Sequence, residues 1–283
     1  MIANVYADPS LEGWEGYGLA VQAYQKRAPF VIDFLAGLAR RFGRRIPVRL
    51  VKGAYWDSEI KRAQVDGQAG YPVFTRKPNT DVSYLACAQR MMRASDAIYP
   101  MFATHNAHTI AAIHRLSLSL LPPGEGARRA DEGMGRDAGD VEIADNRSRE
   151  LPTGDASSSR HHSVRPSPQP LSQGERGFSS PPFEFQKLHG MGDDLYAEVI
   201  PPDRLNVPCR VYAPVGSHED LLPYLVRRLH ENGANSSFVN RITDKDVAID
   251  DLIRDPVEVV TAFDSIPHPR IPLPRHLYRA DAA

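Results

Sequence analysis

Cysteine is scarce in this chain. The two present, Cys87 and Cys209, lie far apart, form no Cys-x-x-Cys pair and stand beside no histidine pair at ligand spacing. That excludes a disulfide scaffold and a zinc site built on paired cysteines, and it fits reduced thiols in a cytoplasmic protein. An excess of one charge is lacking too: 34 Lys and Arg stand against 35 Asp and Glu, a formal net charge of −1. Nothing electrostatic then favours a nucleic-acid partner. No run of about 18 apolar residues occurs, so no membrane-spanning helix is expected. Peripheral contact with the inner membrane stays compatible with the composition. Met1-Ile-Ala-Asn4 lacks the charged start and apolar run of a secretory signal.

Hydrophobic residues make up 42% of the 283 positions and charged residues 24%, the balance of an ordinary globular protein. Short apolar runs alternate with helical patterns. Strands are expected over 18–24, 48–54, 98–104, 183–188 and 209–213. Pro29 opens a helical pattern that places Phe30, Phe34, Leu35, Leu38 and Phe42 on one face. Asp57 or Ser58 is placed to cap a short helix that Gly67 ends. Further helices are expected over 80–94, from Asn106 to about 116, and over 219–232. Strand and helix in strict alternation imply parallel βα units, as in a doubly wound sheet or a (β/α) barrel. Five strands are fewer than the eight of a closed (β/α)₈ barrel.

The character changes over 117–182. Phe178 is the only aromatic residue there, and Gly, Pro, Ser and Arg dominate. Such a segment buries too little apolar area to offset its ordering entropy, so disorder is expected over roughly 122–180. Its ends resemble each other, Leu121-Pro-Pro-Gly-Glu125 and Leu171-Ser-Gln-Gly-Glu175, as in a translated repetitive element inserted into a coding sequence. The expected organisation is a first barrel part over 1–116, the insertion over 117–182, a second barrel part over 183–264, and a proline-rich linker over 265–283.

Active sites of parallel α/β folds gather at the C-terminal ends of strands. Gly53 ends the strand Arg49-Leu-Val-Lys-Gly53, where a backbone can approach a flat ligand closely. Arg49 and Lys52 fall on opposite strand faces, and an ion pair for one with solvent for the other fits as well as a ligand role. Thr104-His105-Asn106 marks a helix start whose free N–H groups favour an anion, although a plain Asn cap is the commoner meaning. Tyr224, Arg227, Arg228 and Glu231 share one face of the last long helix, with Leu222, Leu225 and Leu229 on another. Two adjacent arginines can grip a carboxylate bidentately, but on spacing alone a solvated face with an Arg228–Glu231 pair is the more frequent case. Tyr212 ends its strand either as a core aromatic or as a pocket wall.

Taken together, five segments are far more specific. Val21-Gln-Ala-Tyr-Gln-Lys-Arg27, Arg49-Leu-Val-Lys-Gly-Ala-Tyr-Trp-Asp57, Phe102-Ala-Thr-His-Asn-Ala-His108, Leu188-His-Gly-Met-Gly192 and Tyr224-Leu-Val-Arg-Arg-Leu-His-Glu-Asn-Gly-Ala-Asn235 follow one another as in the proline dehydrogenase domain of bacterial proline utilisation A proteins. The resemblance covers 5–116 and 183–279. It implies a (β/α)₈ barrel holding FAD, oxidation of L-proline to 1-pyrroline-5-carboxylate, and a membrane quinone as electron acceptor. Carried over by motif, Arg227 and Arg228 clamp the proline carboxylate, while Tyr212, Tyr224 and Leu188 wall its ring. Gln22, Arg49, Val51, Gly53, Ala54 and Tyr55 surround the flavin ring system, with Arg49 near its reactive nitrogen. Trp56, Thr75, Lys77, Thr104, His105 and Asn106 hold the ribose, pyrophosphate and adenine portion, and Glu231 supports the site.

The sequence departs from that family in two respects. Its first strand resembles the family's fourth, so a lysine and an aspartate expected beside the substrate have no counterpart here. The insertion is the second departure. Two readings follow: an FAD-dependent proline dehydrogenase whose other barrel strands come from another chain, or an inactive remnant of a disrupted gene. A different phosphate-binding barrel enzyme is a third reading, which the arginine pair and the tyrosines disfavour.

Overall fold

Five parallel strands form a single sheet whose spatial order is the order of the chain. They are β1 (Leu19–Gln22), β2 (Ile46–Val51), β3 (Ile98–Ala103), β4 (Glu184–Leu188) and β5 (Cys209–Tyr212). The structure is a computed structural model that describes residues 2–120, 183–233 and 247–277, with side chains omitted over 229–233. The principal helices are α1 (Ile2–Tyr6), α2 (Ala28–Arg41), α3 (Trp56–Val65), α4 (Lys77–Arg93) and α5 (Ala107–Ser119). After β4 come α6 (Asp193–Ala197), α7 (His218–Gly233), α8 (Ile249–Ile253) and α9 (Pro256–Thr261). Sequential parallel strands joined by helices make this an incomplete (β/α)₈ barrel, with five of the eight strands that closure requires among the described residues.

All five expected strands are present, and their bounds shift for local reasons. β2 stops at Val51 because Gly53 adopts φ +137°, outside any strand conformation. α3 begins at Trp56 with Tyr55 at its cap position and no side-chain cap bond. The expected caps Asp57 and Ser58 therefore lie inside the first turn, where Asp57 and Glu59 complement the helix dipole instead. Gly67, at φ +60°, follows the helix end as expected.

The apolar face of α2 is in part a correction. The helix buries Ile32, Leu35 and Leu38 together with Ala28, Ala36 and Ala39, whereas Phe30 and Phe34 are 72% and 61% exposed. Leu35, Leu38 and Phe42 face the core as expected, while the small alanines take the places next to them that the reading gave to Phe30 and Phe34. The leucines of α7 also stand out: Leu222 and Leu225 are exposed among the described residues. On the edge strand β5, Val211 is 49% exposed. Both outer strands, β1 and β5, keep one unpaired edge among the described residues.

The core lies between the sheet and helices α2, α4 and α5. Phe102, Phe183, Phe185 and Tyr196 meet there in largely edge-to-face contacts. The disorder expected over 122–180 concerns residues outside those described. The strands either side of that segment pair directly, Met101 with Glu184 and Ala103 with Gln186. The proline-rich end, expected as an extended linker, lies along the loop before α4 as far as it is described.

Every residue of β4 is buried, yet its inward side is polar. The Glu184 carboxylate accepts from Arg210 Nε at 2.8 Å and Nη2 at 3.0 Å, from Gln186 Nε2 at 2.9 Å and from Tyr99 Oη at 3.2 Å. This bidentate pair staples β4 to β5 beneath the strand ends. Substituting Arg210→Met strips a buried carboxylate of its charged partner and is expected to cost about 1–3 kcal/mol of stability. Urea unfolding of the variant checks this, and an unchanged midpoint would show that the pair contributes nothing.

Candidate active site

The C-terminal ends of the strands open onto one cleft of ≈ 750 Å³. Its floor is set by β2 and the turn after it. Arg49 and Val51 point into the cleft, and the chain then turns through Lys52 and Gly53 to Ala54, Tyr55 and Trp56, which also line it. Ala54 N donates to Gln22 Oε1 at 3.4 Å, tying the turn to the end of β1. Trp56 is fixed by its indole N–H, which donates to the Phe74 carbonyl at 2.8 Å.

Gly53 meets a demand of packing as well. A Cβ on it would lie 2.5 Å from Cγ of Tyr24, so the glycine packs flat against that ring, which also lines the cleft. With φ at +137° as well, Gly53→Ala is strained in two ways. We expect it to lose about 1–3 kcal/mol of stability, read as a lowered Tm. A variant as stable as the parent would contradict this packing.

Lys52 answers the question left open by the sequence. It pairs with Asp81 on α4, to which Lys77 also donates at 2.8 Å. Burial pushes the Lys52 ammonium down from its usual range and Asp81 opposes the shift. Burial would raise the Asp81 carboxyl, but the two lysines outweigh it and hold the group down. Arg49 instead sends its guanidinium 5.1 Å above the Tyr212 ring, across the cleft from β2 to β5.

The helix-start reading of Thr104-His105-Asn106 is realised. Asn106 Oδ1 accepts from Thr109 N at 2.9 Å, and Asn106 N donates to Thr104 Oγ1 at 3.2 Å. All three residues line the cleft. His105 Nε2 accepts from Leu188 N at 3.4 Å. Burial, with help from the Lys187 charge, pushes its pKa down, so the ring is neutral near pH 7. With Nε2 accepting, the proton sits on Nδ1. Gly192 backs the ring closely: a Cβ there would come within 3.1 Å of it. Buried Tyr196 donates to the Thr104 carbonyl at 2.8 Å and holds the same segment from behind.

Opposite stand Leu188, Tyr212, Tyr224 and Arg228, all in the cleft wall. The Arg228 guanidinium lies 5.1 Å from the Tyr224 ring centre. Arg227 is not part of the wall; its guanidinium covers the Tyr55 ring at 4.5 Å. The Glu231 side chain lies outside the described residues. Thr75 and Lys77 complete the expected set in the cleft. Sequence reasoning missed Tyr24, Phe74, Arg76, Thr80 and Met191, which line it as well. Tyr24 stands two residues beyond Gln22, and Met191 sits inside the quoted Leu188–Gly192 motif, so both had a signal. Phe74, Arg76 and Thr80 had none.

The cleft thus gathers cations, aromatic walls and a capped helix start, in the chain order of the five quoted segments. The profile of proline dehydrogenase matches residues 1–138 and 169–241. This chain belongs to the proline dehydrogenase family. The bifunctional protein PutA of Escherichia coli strain K12 is 47% identical over 98% of this chain and 17% of its own length. PutA of Rhizobium meliloti is 48% identical over 96% of the chain and 18% of its own length. Among solved structures, the D778Y mutant of proline utilization A from Bradyrhizobium japonicum superposes with a TM-score of 0.72 at 43% identity, over 99% of this chain and 22% of that one. The Bdellovibrio bacteriovorus protein gives a TM-score of 0.64 at 26% identity, over 91% of this chain and 21% of that one. The chain therefore spans about a fifth of the length of these relatives. No described helix of this proline dehydrogenase family member is long and apolar enough to cross a membrane.

Proposed function

We propose that the cleft oxidises L-proline to 1-pyrroline-5-carboxylate with FAD as its bound oxidant, passing the electrons on to a quinone. The observation that carries this reading is the convergence of Arg228, Tyr224, Tyr212 and Leu188 with Arg49 around one cleft. A cation suits the carboxylate of an amino acid, and the tyrosines and leucine suit an aliphatic ring.

The donor set also fits FAD. Tyr55, Trp56 and Phe74 offer flat apolar surface, and Lys77 supplies positive charge at the cleft. The start of α5 supplies backbone N–H groups for an anion. Gln22, Arg49, Val51, Gly53, Ala54 and Tyr55 would border the ring system. Trp56, Thr75, Lys77, Thr104, His105 and Asn106 would hold the ribose, phosphate and adenine portion, with Glu231 supporting from α7. When bound, FAD accepts the hydride that leaves the ring carbon next to nitrogen. The product gains a carbon–nitrogen double bond and the nitrogen gives up a proton.

The chain's own residues bind and orient. Arg228 holds the carboxylate and thereby fixes which ring carbon faces the oxidant. Arg227, stacked on Tyr55, adds positive charge beside it. Arg49 is buttressed by Tyr212, so one contact couples the floor of the cleft to the substrate wall. Neutral His105 presents Nδ1–H as a donor. The proposed setting is cytoplasmic, with transient contact at the inner membrane where a quinone is reached.

A second reading, an inactive remnant, draws support from the unpaired sheet edges and the exposed Phe30, Phe34, Leu222 and Leu225. On that reading proline is not turned over, whereas on the enzymatic reading another polypeptide supplies the remaining strands. One reagent tests the enzymatic reading. The Bdellovibrio relative is described as inactivated by N-propargylglycine. A barrel completed with the remaining βα units is expected to lose proline oxidation irreversibly after incubation with it, and proline should protect. Full activity after incubation and gel filtration would reject the proposed site.

A further inference from the structure

We propose that residues 263–272 are a positioning element for the cleft, which turns the Thr75 hydroxyl into a hydrogen-bond donor toward the ribose–phosphate part of a bound dinucleotide. The proposal rests on the cofactor reading given above. It starts from where this stretch lies. The segment 71–80, a loop and the first turn of α4, carries Phe74, Thr75, Arg76 and Lys77 into the cleft wall. Residues 263–272 run along the other side of that segment and hold it at four places.

Tyr71 Oη donates to the Pro272 carbonyl at 2.9 Å, and buried Asn79 Nδ2 donates to the Ile266 carbonyl at 3.1 Å. Arg76 gives Nε and Nη2 to the Pro267 carbonyl at 3.3 and 3.2 Å, with its guanidinium 4.1 Å over the Phe263 ring. Arg76 is thus committed to the strap even though it borders the cleft. Ile271 anchors the far end, packing on the small cluster of Tyr24, Ile60, Ala63, Tyr71 and Val73. That cluster includes the ring on which Gly53 rests, so strap, loop and cleft floor share one support.

The fourth contact decides the chemistry. His268 N donates to Thr75 Oγ1 at 2.9 Å. In Pro267-His268-Pro269 the neighbours have no N–H, so His268 supplies the one backbone donor of the tripeptide. A hydroxyl that accepts this bond keeps its own proton to give. Thr75 lines the cleft, so that proton is available to an acceptor there, such as a ribose or phosphate oxygen. The prolines restrict the strap before it docks, which lowers the entropy lost in holding the loop.

Two substitutions at one position separate the N–H from the side chain, both made in the full 283-residue chain. His268→Pro deletes the donor and His268→Ala keeps it. The readouts are calorimetric binding of ADP, as a probe for the phosphate end, and hydrogen exchange of the amides over 72–77. His268→Pro is expected to bind ADP about tenfold more weakly and to exchange faster there, with His268→Ala like the parent. Asn79→Ala, which cuts the strap from the other side, is expected to act as His268→Pro does, and serves if the proline variant does not fold. ADP affinity equal to the parent in folded His268→Pro, or in Asn79→Ala in its place, overturns the proposal. If the parent binds no ADP either alone or in a barrel completed with the remaining βα units, the cofactor reading of the cleft fails. Exchange then decides the strap alone: a rise keeps it as the holder of the loop, and no change overturns it.

Discussion

Replacing Arg228 by Met in a barrel completed with the remaining βα units is expected to raise the KM for proline by between ten- and a hundredfold. Loss of one charge-assisted contact to a carboxylate costs about 1.5–3 kcal/mol, and each 1.4 kcal/mol is about a factor of ten. Flavin content should stay near that of the parent, because Arg228 meets the cleft from the side of Tyr224, away from the 52–56 turn and the loop carrying Thr75. Arg227→Met tests the second half of the pair. Its guanidinium lies on the Tyr55 ring at 4.5 Å, so its removal is expected to disturb KM and the packing of Tyr55 together. Steady-state kinetics with flavin quantified by absorbance separates the two effects. Unchanged proline kinetics in both variants would falsify the carboxylate assignment.

Much of this was legible in the sequence. The alternation of apolar runs and helical patterns carried the βα repeat, since a strand buried on both faces needs a continuous apolar run and its covering helix a periodic one. The N-cap at Asn106 was legible because one side chain has one local task. What failed was orientation. On α2 Phe30 and Phe34 were misplaced, while Leu35, Leu38 and Phe42 were right, because the alanines at 28, 36 and 39 share the contact and small residues leave little periodic signal. The inward polar layer of Glu184, Gln186 and Arg210 was invisible because Glu184 gathers Arg210 and Tyr99 from the two neighbouring strands. At Gly53 the sequence held no sign of one demand, the Tyr24 ring, which meets the glycine only in the folded chain. Lys52 could not be assigned from strand alternation, because the deciding group, Asp81, lies on α4. The residues at 71–80 meet the strap at 263–272, a contact between segments 193 and 201 residues apart at Thr75 and Tyr71 and beyond any local pattern.

The largest expected effect concerns the sheet itself. Among the described residues five strands leave two unpaired edges, with Val211 on one of them half exposed. A cleft walled by those five strands alone would be open to water on the side that further strands close in a complete barrel. Water screens the cations that would hold an anion, and small misplacements of a catalytic constellation lower rates steeply. The exposed apolar residues of α2 and α7 add a tendency to associate.

The decisive measurement is the visible absorbance of flavin as proline is added, taken on the purified 283-residue chain with FAD and again with a polypeptide supplying three further βα units. The account predicts little retained flavin and no bleaching for the chain alone, and a yellow protein bleached by proline once the barrel is completed. Bleaching by the chain alone would show that five strands suffice. A completed, flavin-loaded barrel that proline leaves yellow would contradict the assignment of the cleft itself.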